Sequence, residues 1–165
     1  MTPVRAARPG DEALVLRFVR ELAAFEREPD AVEAVEADIA AALFGPEPAA
    51  EAVIAESEGE PVGFALFFHN FSTWTGKRGL YLEDLYVTPA ARGRGVGRAL
   101  LAHLARIALD RGCARFEWSV LDWNADAIAF YRALGAVGMD EWTVQRLSGD
   151  ALRRLAEGRW RTIAG

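Results

Sequence analysis

The sequence predicts an α/β chain: one mixed central sheet with helices on both faces. Its elements read in the order β-α-α-β-β-β-α-β-α-β, and the middle of that order joins an antiparallel hairpin to β-α-β crossovers. At 165 residues, 52% hydrophobic and 26% charged, it has the length and composition of a single globular domain spanning residues 1–165.

Each element has its own signal. "PVRAA" is a short first strand, and the Pro and Asp of "RPGDEA" open a helix. Val15, Phe18, Val19, Leu22 and Phe25 recur at helical spacing and carry that helix to about Glu26. "DAVEAVEADIAAALFG" reads as a second helix, stopped by Gly45 and Pro46. "EAVIAES" and "VGFALFFHNF", joined by the turn "EGEP", form an antiparallel hairpin. After the loop "STWTGKRG" comes the strand "LYLEDLYV", which Pro89 ends. A helix from Gly95 to about Arg111 sets Val96, Leu100, Leu104 and Ile107 on one face. "ARFEWSVL" is a strand, "DWN" a loop, and "ADAIAFYRALG" a helix closed by Gly135. "EWTVQRL" is expected as a last strand, before a short helix in "GDALRRLAEG".

Charge and cysteine usage exclude several functions. The 24 acidic and 19 basic residues leave a net charge of −5, which argues against a nucleic-acid or anionic-membrane partner. The lone Cys113 rules out an intramolecular disulfide, and with only His69 and His103 besides, no metal centre is expected. The start of the chain lacks the apolar block of a secretory leader, so a cytoplasmic location is expected. His103 falls on the apolar face of its helix and reads as a core residue, whereas His69 is a reserve candidate for a base. Trp118, Trp123, Trp142 and Trp160 read as packing or interface groups.

The turn before the third helix carries the sharpest chemical signal. Gly93, Gly95 and Gly97 let backbone N–H groups approach an anion, and the helix N-terminus adds a favourable dipole. Arg92, Arg94 and Arg98 supply cations suited to a pyrophosphate and a ribose phosphate. The G-x-G-x-G spacing is not the dinucleotide pattern, and no Lys-Ser or Lys-Thr pair marks a nucleoside triphosphate loop.

At these residues the chain resembles a family. "LYLEDLYVTPAARGRGVGRALLAHL" is similar to the coenzyme A-binding core of the GNAT N-acetyltransferases, whose Arg/Gln-x-x-Gly-x-Gly/Ala pattern here is Arg92-Gly93-Arg94-Gly95-Val96-Gly97. "DWNADAIAFYRALGA" resembles the family's second signature, and "RELAAFE" and "WTGKRGLYLEDLYV" extend the likeness to the spermidine/spermine (diamine) branch. The resemblance implies a sheet splayed between the fourth and fifth strands, with acetyl-CoA as cosubstrate and its pantetheine arm in the gap. Backbone groups of Leu85, Tyr86 and Val87, together with Asn124, would hold the pantetheine, and residues 92–98 the pyrophosphate. It also implies a homodimer.

The chemistry of an amine acceptor sets two needs. A primary amine of pKa near ~10 must lose a proton, at about 4 kcal/mol at pH 7. Glu83, at the matching family position, is the candidate base, and Tyr131 the candidate acid for the departing thiolate. Asp84 should face the other side of a regular strand unless a bulge brings both acids to the site. Glu26, Glu83 and Asp84 offer carboxylates to a cation, and Trp74 could wall the pocket. Ser72 stands where diamine relatives carry an acid, and Phe25 where they carry a Tyr. These departures leave short diamines, lysine-like amino acids and other small amines open as acceptors. Rival readings are an acetyltransferase for another amine (an amino acid, an antibiotic or a protein N-terminus) and a coenzyme A-binding regulatory module without turnover.

Overall fold

The computed structural model describes residues 2–159; Trp160 lies outside them. Two compact units are distinct, one ending at Trp123 and one beginning at Asn124.

The first unit is a five-stranded sheet in the order β1-β2-β3-β4-β5. Its strands are β1 (Val4–Ala6), β2 (Glu51–Ser57), β3 (Glu60–Ser72), β4 (Lys77–Val87) and β5 (Phe116–Trp118). The first three pairings are antiparallel and the last, β4 with β5, is parallel. The connection α3 (Val96–Asp110) supplies the crossover that a parallel pair needs. The sheet is therefore mixed, as expected.

Strand alternation sends side chains to two faces, and each face meets helices. Ala52, Ile54, Phe64 and Tyr86 form one cluster with Val15 and Phe18 of α1 (Glu12–Phe25) and Leu43 of α2 (Glu36–Phe44). On the other face, Gly63 lies so close under α3 that an added Cβ would meet side-chain carbons of Leu100 and Val96 at 3.4 Å and the Tyr86 carbonyl oxygen at 2.7 Å. Leu100 and Leu104 are fully buried there.

The entry to α1 is tied to the sheet. The Asp11 carboxylate accepts from the Arg8 backbone N–H at 2.9 Å and pairs with Arg5 at 2.8 Å, and Arg5 also pairs with Glu56. The Arg5 hydrogen bond holds the Asp11 carboxyl below its usual range. The second helix starts later than the sequence suggests. Pro29–Ala31 form a 3-10 turn, and α2 begins at Glu36, where the Asp38 carboxylate accepts from the Val35 N–H.

The second unit holds α4 (Ala125–Ala133) and α5 (Gly149–Ala156). The last strand expected in "EWTVQRL" is absent: residues 142–147 form no strand among the described residues. Trp142 and Val144 of that segment are 68% and 80% exposed. Alternation alone does not make a strand, because a strand is stabilised by the neighbour it pairs with.

Candidate active site

The pairing of β3 with β4 shifts at one point. Phe67 faces Leu82 and Leu66 faces Asp84, so Glu83 is an extra residue with no partner on β3. That is a β-bulge, and it decides where the two acids go. Leu82 shares the α3 face with Phe67, and alternation sends Glu83 to the opposite, α1 face. Asp84, opposite Leu66, lies on the α1 face as well. The bulge therefore puts both carboxylates on one face, the exception foreseen from the sequence.

Glu26, the residue after α1, belongs to the same group. Burial pushes its carboxyl up. Asp84 is half-buried, and burial, followed by the charges of Glu83 and Glu26, pushes its carboxyl up to about 6. Removing water from a carboxyl disfavours its charged form, and two neighbouring acids add to the effect. A bound ammonium group would relieve both.

The sign of that shift gives a stability prediction. The unfolded chain ionises Asp84 near 3.8 while the folded one keeps it neutral to about 6, so stability is lost as pH rises through that window. Asp84→Asn escapes the loss. Its advantage over wild type should grow across the window, by up to roughly 3 kcal/mol, and level off above it. Urea unfolding over a pH series measures this; a difference independent of pH would contradict it.

Beside the acids the sheet opens. Pairing of β4 with β5 covers Leu80–Phe116, Tyr81–Glu117 and Leu82–Trp118, and no residue of β4 from Glu83 onward faces β5. The strand expected over residues 114–121 is only Phe116–Trp118, because past Trp118 the chain leaves β4. This is the splay between the fourth and fifth strands. Leu85 and Val87 lie along the opened stretch, whereas Tyr86 pairs with Phe64 of β3 and its ring is buried against Phe18 at 5.7 Å.

The glycine turn follows. Gly93 and Gly95 have φ of 75° and 82°, in the left-handed region that glycine alone enters freely, and no heavy atom lies within 4 Å of where a Cβ would stand. Gly95 caps the N-terminus of α3, Val96 and Gly97 form its first turn, and Arg94 and Arg98 are exposed. These residues fit the diphosphate of a coenzyme: open backbone, a helix N-terminus and cationic side chains. Arg92 is engaged differently. Its Nε donates to the Val87 carbonyl at 2.9 Å, and its guanidinium lies over the rings of Phe25 (5.1 Å) and Tyr86 (5.6 Å). It thus ties the turn to the end of α1.

Other expected residues lie elsewhere. Trp74 sits in the turn between β3 and β4 and is 82% exposed. The strand from Lys77 to Glu83 rises by six residue steps, roughly 20 Å, so within one chain Trp74 is far from the acids. Ser72, beside it, accepts from the Thr75 N–H. His69 faces Leu80 on the α3 side of the sheet, away from Asp84, with Nε2 3.5 Å from Arg111. His103 is half-buried, and burial lowers its pKa. Trp123, read from the sequence as a packing or interface group, has its ring 6.1 Å from that of Phe25 and 4.0 Å from the Arg27 guanidinium. In the second unit, Asn124 caps α4, its Oδ1 accepting from the Ala127 N–H at 3.3 Å, and the Tyr131 ring lies 5.6 Å from that of Phe130.

Comparison with known proteins gives four findings. Residues 16–136 match the family described as "Acetyltransferase (GNAT) family". The chain is 42% identical to a thialysine N-epsilon-acetyltransferase of Sus scrofa, covering 93% of this chain and 96% of that one. It is 36% identical to a spermidine/spermine N(1)-acetyltransferase-like protein 1 of Homo sapiens, covering 93% of this chain but 23% of that longer one. Among solved structures, an integron cassette protein from the mobile metagenome of V. cholerae superposes with a TM-score of 0.78 at 29% identity, covering 94% of this chain and 98% of that one.

Proposed function

The chain belongs to the acetyltransferase (GNAT) family, and on that premise we propose that its acceptor is a small primary amine of the diamine or lysine-like class. Family membership makes it an N-acetyltransferase that uses acetyl-CoA. The observation that carries the choice of acceptor is the bulge at Glu83. It groups Glu83 and Asp84 on the face where Glu26 ends α1, and such carboxylates attract an ammonium ion.

When bound, acetyl-CoA supplies an acetyl group as a thioester. The residues of this chain would do the rest. The backbone of Leu85, Tyr86 and Val87 would hold the pantetheine, and the turn from Arg92 to Arg98 the diphosphate. Asp84 and Glu26 would bind the ammonium form of the acceptor, and Glu83, directly or through water, would take its proton to free the lone pair. Two assignments in the second unit rest on the family signature alone: Asn124 as a pantetheine ligand and Tyr131 as the acid that protonates the thiolate. The whole chain would act as one catalytic domain in the cytoplasm, and as a homodimer, a reading supported by the exposed Phe71 and Trp74. Light scattering tests the dimer.

Coenzyme A release with diamines, polyamines, lysine analogues and amino acids tests the acceptor class. Binding of acetyl-CoA without turnover on any amine would favour a regulatory module instead. The coenzyme turn has its own test. Acetyl-CoA should raise the melting temperature, by linkage of binding to folding, and NAD should not. Gly95→Leu puts a side chain on a left-handed residue, at about 1–2 kcal/mol, and into the open side of the turn. The apo protein should still fold and the thermal shift should vanish; an undiminished shift would place the coenzyme elsewhere.

A further inference from the structure

Arg27 follows Glu26, and the structure gives it an unusual setting. It has φ of 66°, a left-handed conformation disfavoured for a residue with a Cβ. Only two non-glycine residues among those described have positive φ, and the other, Glu58, lies in the β2–β3 hairpin turn where such a conformation is ordinary. At Arg27 the turn follows α1 and swings the side chain across Trp123, with the guanidinium 4.0 Å from the ring centroid. The indole also packs with the Phe25 ring, 6.1 Å away. Arg27 makes no ion pair among the described residues, whereas Arg5, Arg17 and Arg111 each face a carboxylate.

Stacking uses the flat face of a guanidinium and leaves its edge, with five N–H donors, pointing outward. That edge matches a carboxylate in a two-bond fork. An aromatic platform also restricts the side chain, so less freedom is lost when the fork closes. The consecutive Cα atoms of Glu26 and Arg27 are about 3.8 Å apart. Arg27 thus follows directly in the chain on a member of the acid group formed by Glu26, Glu83 and Asp84. A plain diamine carries cations at both ends and has no use for Arg27. A lysine-like amino acid carries the same two ammonium groups and adds a carboxylate beside one of them.

We propose that Arg27, held against Trp123, receives the α-carboxylate of an amino-acid acceptor whose side-chain amine is acetylated. The site then selects an α,ω-diamino acid such as lysine over the corresponding diamine. This rests on the small-amine reading above and narrows it.

The test compares kcat/KM for lysine, lysinamide and cadaverine in the full-length protein. Lysinamide keeps the α-amine and turns the carboxylate into a neutral amide; cadaverine keeps that amine as its second terminal amine and lacks the carboxyl group altogether. Wild type should prefer lysine to lysinamide by about 10- to 100-fold, the size of a charge-assisted pair. Arg27→Gln should collapse that preference, mainly through KM for lysine, while Arg27→Lys retains part of it. Arg27→Glu should invert it in favour of cadaverine. Trp123→Leu keeps the charge but removes the platform, and should lower the preference by a smaller factor. A lysine-to-cadaverine ratio equal in wild type and Arg27→Gln overturns the proposal and leaves the small-amine reading standing. Transfer to none of the three, nor to any other amine, overturns both.

Discussion

Tyr131→Phe is expected to leave acetyl-CoA affinity nearly intact and to lower turnover by roughly 10²–10⁴-fold, the usual size of a general-acid contribution. The substitution removes one hydroxyl and keeps the ring that lies 5.6 Å from Phe130 on α4. A loss confined to kcat would mark a group needed after the ligands are bound, here to protonate the thiolate. Thermal shift with acetyl-CoA and single-turnover kinetics separate the two effects. Near-normal turnover, with chemistry shown to be rate-limiting, would remove Tyr131 from the mechanism.

Glu83→Gln should be as costly at neutral pH but should respond to pH in the opposite way to a simple loss of structure. At pH 7 an amine of pKa near ~10 is almost wholly protonated, and without a base its lone pair must be freed by solvent. Turnover should fall by roughly 10²–10⁴-fold at pH 7 and recover in part as the pH approaches the amine's own pKa. Glu83 is the exposed, supernumerary residue of β4, so the variant should keep the wild-type melting temperature to within a few degrees. An equal deficit at both ends of the pH range would assign Glu83 to structure and leave the proton to another group.

The sequence made the glycine turn and most helices legible because their signals are local. Gly95 and the apolar stripe Val96, Leu100 and Leu104 lie within three turns of one helix. What failed depended on partners distant in sequence. "EWTVQRL" alternates like a strand but forms no ladder among the described residues, and "ARFEWSVL" pairs only as far as Trp118. Pro29 marks a turn, yet residues 30–35 read as the start of α2 because the acids there suit a helix start as well as a turn. Glu83 and Asp84 were identified as chemistry, but their shared face depends on the register of β4 against β3, which no residue of β4 encodes alone. The Arg27–Trp123 stack was invisible for the same reason: its members are ninety-six positions apart.

The bulge also makes one residue of β4 dispensable to the ladder. Since Leu82 pairs with Phe67 and Asp84 with Leu66, a chain lacking Glu83 would run through the same partners without interruption. Leu85 and Val87 would keep the α3 face and Tyr86 its place against Phe18. A single deletion at this position is therefore expected to spare the sheet, whereas a single insertion beside it would turn every later side chain to the wrong face. The carboxylate proposed as the base thus rides on a removable letter in the strand's count. A homologue one residue shorter here could keep the coenzyme turn and the fold while having lost the means to deprotonate its acceptor.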